Sequence, residues 1–410
     1  MAGKKRVVVI GGGAAGMMAA GTAGSRGLDV TLVEKNQKVG RKIFITGNGR
    51  CNLTNYCDVE ELIANVPTNG RFLYSAFSAL PPVQLLSLFN ELGLETKVER
   101  GKRVFPVSER SADVIDVLRR YMRQNKAKVV NGNATKVVTA ENRVNKVILA
   151  DGNIIDCDSV VIATGGMSYP KTGSTGAGYV LAKELGHTIT PLRPSLVPLE
   201  IKEKWVTQAQ GLTLKNIAIS VYDQNNRLVY EAFGELFFTH FGVSGPVILS
   251  ASSRLGDVRQ QNYRLIIDLK PALTEEQLDK RLLRDFLQYS RKIFANSLHD
   301  LLPKKLIPLI IAQSGIVASK PVNQIAKSER RQLVKLIKNI KLTISDYRPL
   351  AEAIVTSGGI KIDEINPSTM ESKLVQGLYF AGEVIDVDGY TGGFNLQIAF
   401  STGYLAGLNV

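Results

Sequence analysis

The sequence predicts an α/β fold, a parallel sheet covered by helices, interrupted by an inserted body of different texture. Three observations predict it. Val7 to Ile10 is an apolar run followed at once by Gly11-Gly12-Gly13-Ala14-Ala15-Gly16. A second apolar run, Val30 to Val33, ends at Glu34. The same texture, an apolar run closing on glycine, returns at Ser159 to Gly166 and again at Leu378 to Glu383, near the far end of the chain.

The opening segment has a strand, glycines, a small-residue helix over Met17 to Ser25, a second strand and an acid. That order is the Rossmann-like dinucleotide fingerprint. Gly11 permits the tight turn, Gly13 lets a pyrophosphate approach the backbone, and Gly16 lets helix and strand pack closely. The N–H groups of the helix start, at Ala14 and Ala15, favour phosphate. Glu34 is placed to accept from both ribose hydroxyls. Lys4-Lys5-Arg6 before an apolar run also suits a secretory signal, but five glycines between residues 11 and 21 oppose it.

With 410 residues and 44% apolar content, the chain has material for two or three domains. Three cysteines (Cys51, Cys57, Cys157) and three histidines give neither a disulfide framework nor a zinc motif. No metal is expected. No run approaches a membrane span of about 20 apolar residues, so a cytoplasmic protein without membrane contact is expected. A net charge of +14 favours anionic ligands and permits nucleic-acid contact.

Further along, Val129-Val130, Val137-Val138 and Arg143 to Ala150 predict short strands. Asp151-Gly152 turns into Ile154-Ile155, which predicts a small antiparallel meander. Pro191 to Pro194 has the composition of a linker. Four β segments follow: Leu196 to Ile201, Ile217 to Tyr222, Leu228 to Phe233 and Tyr263 to Leu269. Helical periodicity takes over from 274, where Thr274 and Gln277 form a capping box and Leu278, Leu282, Leu283 and Phe286 a stripe. Ser328 is a candidate cap for the next helix. The expected domains are therefore 1–192 with 343–410, and an insert at 193–342, β-rich over 193–272 and helical over 273–342.

Two later motifs favour FAD over NAD. Ala163-Thr164-Gly165-Gly166 ends a strand without bulk, so that backbone lies against a cofactor. Gly382-Glu383 places an acid for ribitol hydroxyls. Gly392-Gly393 then opens a helix at Asn395-Leu396-Gln397, whose positive end suits a reduced isoalloxazine.

These motifs resemble flavoproteins of the glutathione-reductase type. More closely, the chain resembles the BaiN-like, or aminoacetone-oxidase, family of FAD-binding enzymes. The carrying segments are Gly40-Arg41-Lys42, Thr46 to Asn55, Phe238 to Pro246, Thr369 to Lys373 and Gly377 to Gln397. The resemblance implies FAD, a discontinuous cofactor domain and a two-part insert. It extends the FAD-binding set to Lys35, Arg41, Lys42, Thr46 and Cys51. Thr172 to Gly178 resembles a loop of fumarate-reductase-type flavoproteins, with Ala177 in place of the usual Asp.

Gly47 and Gly49 allow the 46–52 loop to lie beside the flavin ring, with the Asn48 and Asn52 amides toward its pyrimidine edge. Cys51 and Cys57 have five residues between them rather than the four of disulfide-reductase pairs, which favours a packed thiol over a redox disulfide. Candidate catalytic residues are His240, a proton donor or carboxylate clamp, Arg50, an anion clamp shared with Lys171, and Tyr169, a donor or stacking group. The expected activity is FAD-dependent hydride transfer at flavin N5 to a small organic substrate beneath the insert, with NAD(P)H as a transient donor. A nucleic-acid-associated flavoprotein, such as a tRNA-modifying enzyme, and a flavin redox sensor are the alternatives.

Overall fold

The computed structural model describes residues 4–410. The chain divides into two compact units, Met1–Ser195 with Pro349–Val410, and Leu196–Arg348.

The first unit is built on a five-stranded sheet in the order Leu378–Phe380, Ser159–Ile162, Arg6–Ile10, Asp29–Glu34, Lys128–Asn131, every pair parallel. Arg6–Ile10 lies at its centre with four of its five residues buried. A strand covered on both faces favours a continuous β-branched run, and Val7-Val8-Val9-Ile10 supplies it. Helix Ala14–Ser25 is buried from Ala14 to Gly24 and shows no polar face. It packs on the C-terminal helix Phe394–Asn409. Glycines set that approach: a Cβ at Gly407 would lie 2.7 Å from the Ala19 carbonyl oxygen, and one at Gly403 would strike the Ala15 carbonyl.

The meander is present as Ala134–Ala140, Arg143–Leu149 and Ile154–Asp156. Residues 129–130 stand apart from it and extend the parallel sheet beside Asp29–Glu34. The stretch read as a linker is also a strand: Arg193–Ser195 pairs antiparallel with Val355–Ser357. Proline content suggested a loop, and the pairing partner lies far away in sequence, beyond the reach of local pattern.

The second unit is a closed six-stranded barrel in the order Leu199–Ile201, Gly242–Ser244, Leu228–Phe238, Thr213–Tyr222, Tyr263–Asp268, Ile340–Tyr347. Alternate residues fill it, among them Ile219, Val221, Leu265, Ile267, Leu342 and Ile344. Ile340–Tyr347 pairs with strands on both sides and closes the barrel. The inserted unit therefore runs from Leu196 to Arg348 instead of 193–342. Helices Glu275–Gln288, Ile307–Ser314 and Lys327–Lys338 bury Leu278, Leu282, Phe286, Ile310, Leu333 and Ile337 in the same core.

The Thr274 capping box is made: Gln277 N–H donates to Thr274 Oγ1 at 3.2 Å and Thr274 N–H to Gln277 Oε1 at 2.9 Å. Ser328 is not a cap. The N-cap is Ala326, whose N–H donates to Glu329 Oε2 at 2.7 Å, so the glutamate supplies what the alanine lacks. Among the described residues, no single helix is long and apolar enough to cross a membrane.

Candidate cofactor site

The site begins where Arg6–Ile10 ends. Gly11 sits at φ +106° with its N–H on the Val33 carbonyl at 2.8 Å. A Cβ there would lie 2.6 Å from the Ala163 carbonyl oxygen, and one at Gly16 would collide with the Gly11 carbonyl. A Cβ at Gly13 would meet nothing within 4 Å. Gly11 and Gly16 are therefore small because protein crowds them. Gly13 is small beside open space, which is the arrangement a diphosphate needs. Gly13 is also the N-cap of helix Ala14–Ser25 and offers no side-chain cap, so the first-turn N–H groups remain for a ligand.

Around that turn lies a cleft of about 1330 Å³, open solvent at its mouth included. Gly11, Gly13, Ala14, Ala15, Glu34 and Lys35 line one side. Arg41, Lys42 and Thr46 come from the short helix and turn that follow, and Ala163, Thr164 and Gly165 from the glycine-ended strand. Gly382, Glu383, Asn395 and Leu396 complete the wall. Ala177, from the loop that resembles the fumarate-reductase-type one, also borders it.

Glu34 is nearly buried and already oriented. Oε2 accepts from Gly12 N–H at 2.6 Å, and Oε1 accepts from the Asn36 backbone at 2.8 Å and its side-chain amide at 2.6 Å. A carboxylate has about four acceptor positions. Three are used, and one is left for a ribose hydroxyl. Lys35 donates to Thr175 Oγ1 at 2.7 Å, and burial lowers its pKa against the pull of Glu34. Arg41 donates to Asn36 Oδ1 at 3.0 Å.

At Glu383, Oε2 pairs with Lys42 Nζ at 2.6 Å. Oε1 accepts from Thr356 N–H at 2.8 Å and lies 3.0 Å from Ser168 Oγ. Lys42 also donates to Ser168 Oγ at 2.6 Å. The motifs did not single out Ser168, Thr356 or Asn36. Ser168 beside Tyr169 was the available signal for the first; the other two had none. Thr164 Oγ1 is buried on the cleft wall with no partner. An orphaned hydroxyl, an unfilled glycine cradle and two helix starts fit a bound FAD. The second start is Phe394–Asn409, entered through Gly392 at φ +125° and Gly393 at φ +103°, again with no side-chain cap.

Not every expected contact reaches the cleft. Gly16 works from behind it. Gln397 is fully buried, bonded to Thr54 Oγ1 and the Leu80 carbonyl, and fixes the C-terminal helix. Asn395 borders the cleft, but its amide is committed to Gly389 at 2.7 and 2.9 Å and pins the preceding turn. Gly47 and Asn48 are exposed in left-handed backbone, while Asn52 Oδ1 is buried without a partner. Cys51 is fully buried, Cys57 half-buried, and both are free; burial pushes each thiol up to about 12. Neither resembles an activated redox pair.

Arg50 is corrected as an anion clamp. Its guanidinium lies 2.5 Å from Glu99, 2.9 Å from Glu109 and 4.2 Å above the Phe105 ring, so two carboxylates already hold its charge. Tyr169 stands at φ +50°, partly exposed, and its phenol makes no hydrogen bond among the described residues. His240 belongs to the second unit, exposed, with its ring edge-on to Phe241 at 4.9 Å. His187 is a packed residue: Nδ1 lies 3.1 Å from Glu364 Oε2 and Nε2 2.8 Å from Ser372 Oγ. No cluster of three His, Cys, Asp or Glu among the described residues is placed to hold a metal.

Fold and site together define an FAD-binding oxidoreductase with a Rossmann-type sheet. The family model described as "HI0933-like protein Rossmann domain" matches residues 5–409, and the chain belongs to that family. This bears out the resemblance carried by the motifs. The chain is 33% identical over 407 residues to a 3-dehydro-bile acid delta(4,6)-reductase of Clostridium scindens, covering 98% of both chains. It is 31% identical over 409 residues to a ribosomal RNA dihydrouridine synthase of Haemophilus influenzae, again covering 98% of both. Two solved structures share the fold at 14% identity. They are 3-ketosteroid delta1-dehydrogenase from Sterolibacterium denitrificans, with TM-score 0.53 and 98% of both chains covered, and 3-ketosteroid-delta4-(5alpha)-dehydrogenase from Rhodococcus jostii, with TM-score 0.51 and 99% and 96% covered.

Proposed function

We propose that this enzyme saturates a carbon–carbon double bond conjugated to a carbonyl, with NAD(P)H as the electron source. The observation that carries this reading is the pairing of a built FAD cleft with full-length relatives of that chemistry. A 3-dehydro-delta(4,6) steroid acid and a uracil base look unlike each other, yet each presents an alkene polarised by a neighbouring carbonyl. Bound flavin supplies the hydride at N5.

The side chains must supply the rest. Glu34 and the start of helix Ala14–Ser25 hold the adenosine diphosphate half. The Lys42–Glu383–Ser168 network and the start of helix Phe394–Asn409 hold the other half. Hydride addition to the β-carbon leaves electron density on the α-carbon and carbonyl oxygen, which a proton must meet. Tyr169 is the assigned donor, because its phenol is uncommitted and follows directly on Ser168.

The test is anaerobic stopped-flow. Protein reduced by NADPH is mixed with a 3-oxo-delta(4,6) bile acid or with a uridine-containing ribosomal RNA fragment. Return of oxidised-flavin absorbance with one of these, and none with its saturated analogue, is expected. Absence of reoxidation by either would sink the reading.

A specific observation favours the second substrate. Residues 280–341 hold fourteen Lys and Arg against three Asp and Glu. A uracil base carried in RNA is the reading this charge favours.

A further inference from the structure

We propose that the inserted unit carries an RNA-docking face on helices Glu275–Gln288 and Lys327–Lys338. It rests on the second reading above, and names the surface that would bring the RNA.

Three of the five acids on these two helices are already spent on neighbours, while Glu275 and Glu276 stay exposed in the first turn of the first helix. Asp285 is buried beneath Arg281 at 2.8 Å, Glu329 pairs with Lys320 at 2.7 Å, and Asp279 pairs with Arg330 at 2.7 Å. Lys280, Lys327, Arg331 and Lys335 remain exposed, with no carboxylate within 4 Å among the described residues. Lys327, Arg331 and Lys335 recur every fourth residue, which sets them on one side of their helix about 6 Å apart along its axis. The Asp279–Arg330 bond ties that helix to its neighbour, and Asp279 lies in the field of Lys327 and Arg331 as well. Lys280 follows Asp279 on the companion helix and faces Glu276 one turn back, so it is the outlying member of the set.

Such a row complements a ribose-phosphate strand, whose binding releases counterions. Lys327–Lys338 buries Leu333, Val334 and Ile337 inward and shows cations outward, so its complement is a polyanion in water. Leu283 and Leu287 are exposed on the companion helix and make an anionic bilayer the competing occupant.

The experiment uses the full FAD-loaded chain and an in-vitro-transcribed ribosomal RNA hairpin, with binding followed by anisotropy across a salt series. The comparison is a variant with Lys280→Gln, Lys327→Gln, Arg331→Gln and Lys335→Gln. The parent is expected to show a log affinity against log salt slope of roughly −4, and the variant a slope shallower by about three with affinity down about tenfold or more at low salt. Exchanging Lys for Arg and Arg for Lys at these four positions is expected to keep the parent's binding. Three results would overturn the face: a parent slope shallower than about −2, unchanged binding by the Gln variant, or preference for phosphatidylserine vesicles over the hairpin. Flavin reoxidation by a free 3-oxo-delta(4,6) bile acid, measured on the same variant, separates the two ideas. If no substrate reoxidises the flavin while the salt-dependent binding holds, the reduction reading falls and the face stands.

Discussion

Lys42 and Glu383 lie 341 residues apart in the chain, yet their charged groups meet at 2.6 Å on the wall of the FAD cleft. Their side chains are 24% and 18% exposed, so solvent screens the pair only in part. Ser168 and the Thr356 N–H complete the shell around the carboxylate.

Lys42→Met should leave Glu383 with neutral donors alone and weaken FAD binding by about 1–3 kcal/mol. Adding Glu383→Gln should recover part of the loss, because two groups removed together leave no stranded charge. Fluorescence titration of apoprotein with FAD reads both. Equal, additive losses would mean the pair is not coupled.

Glu34→Ala should remove the acceptor for Gly12 N–H and for ribose. The expected loss in FAD affinity is about 1.5–3 kcal/mol per charge-assisted bond. FAD retained unchanged through dialysis would show the acid to be misassigned.

Gly13→Ala and Gly16→Ala should separate ligand space from packing space. The first adds a methyl that meets no protein atom, so apoprotein melting should hardly move while FAD affinity falls. The second drives a methyl into the Gly11 carbonyl and should cost about 1–3 kcal/mol or more of stability. Melting curves with and without FAD distinguish them.

Burial lowers the pKa of His187, and Glu364 opposes that only in part. The unfolded chain, with an ordinary pKa of about 6.5, binds the proton more readily than the fold does. Stability from this residue should be complete above the unfolded value and fall as the pH drops toward the folded one. Thermal melting from pH 7.5 to 5 (roughly the window of a histidine) should show the decline, and His187→Gln should flatten it.

Tyr169→Phe should slow substrate-driven reoxidation of reduced flavin by about 10²–10⁴-fold, the range of a lost general acid. Reduction by NADPH should be untouched, and His240→Gln should leave both phases near the parent's rates. A Tyr169→Phe enzyme with normal reoxidation would move the donor elsewhere.

Local pattern carried much of the fold. Val7 to Glu34 announced strand, turn, helix and strand because each step has a steric signature close in sequence. The capping box at Thr274 was legible for the same reason. Closure of the barrel was not, since Ile340–Tyr347 pairs with strands on both sides that are distant in the chain. In the site, residues whose backbone is crowded were readable as glycines. Partners chosen in three dimensions were hidden: Asn36 and Thr356 carry no motif, and nothing near Arg50 in sequence reveals that Glu99 and Glu109 neutralise it.

Ser195 and Val355 are cross-strand partners in one two-stranded ribbon. The polypeptide thus leaves the flavin-binding body and rejoins it at adjacent rungs. A short hairpin would bridge that gap, so the intervening 159 residues are, in covalent terms, a cassette. Nature could exchange such a cassette without rethreading the coenzyme's platform, and a protein engineer could do the same to redirect one redox engine among unrelated cargoes.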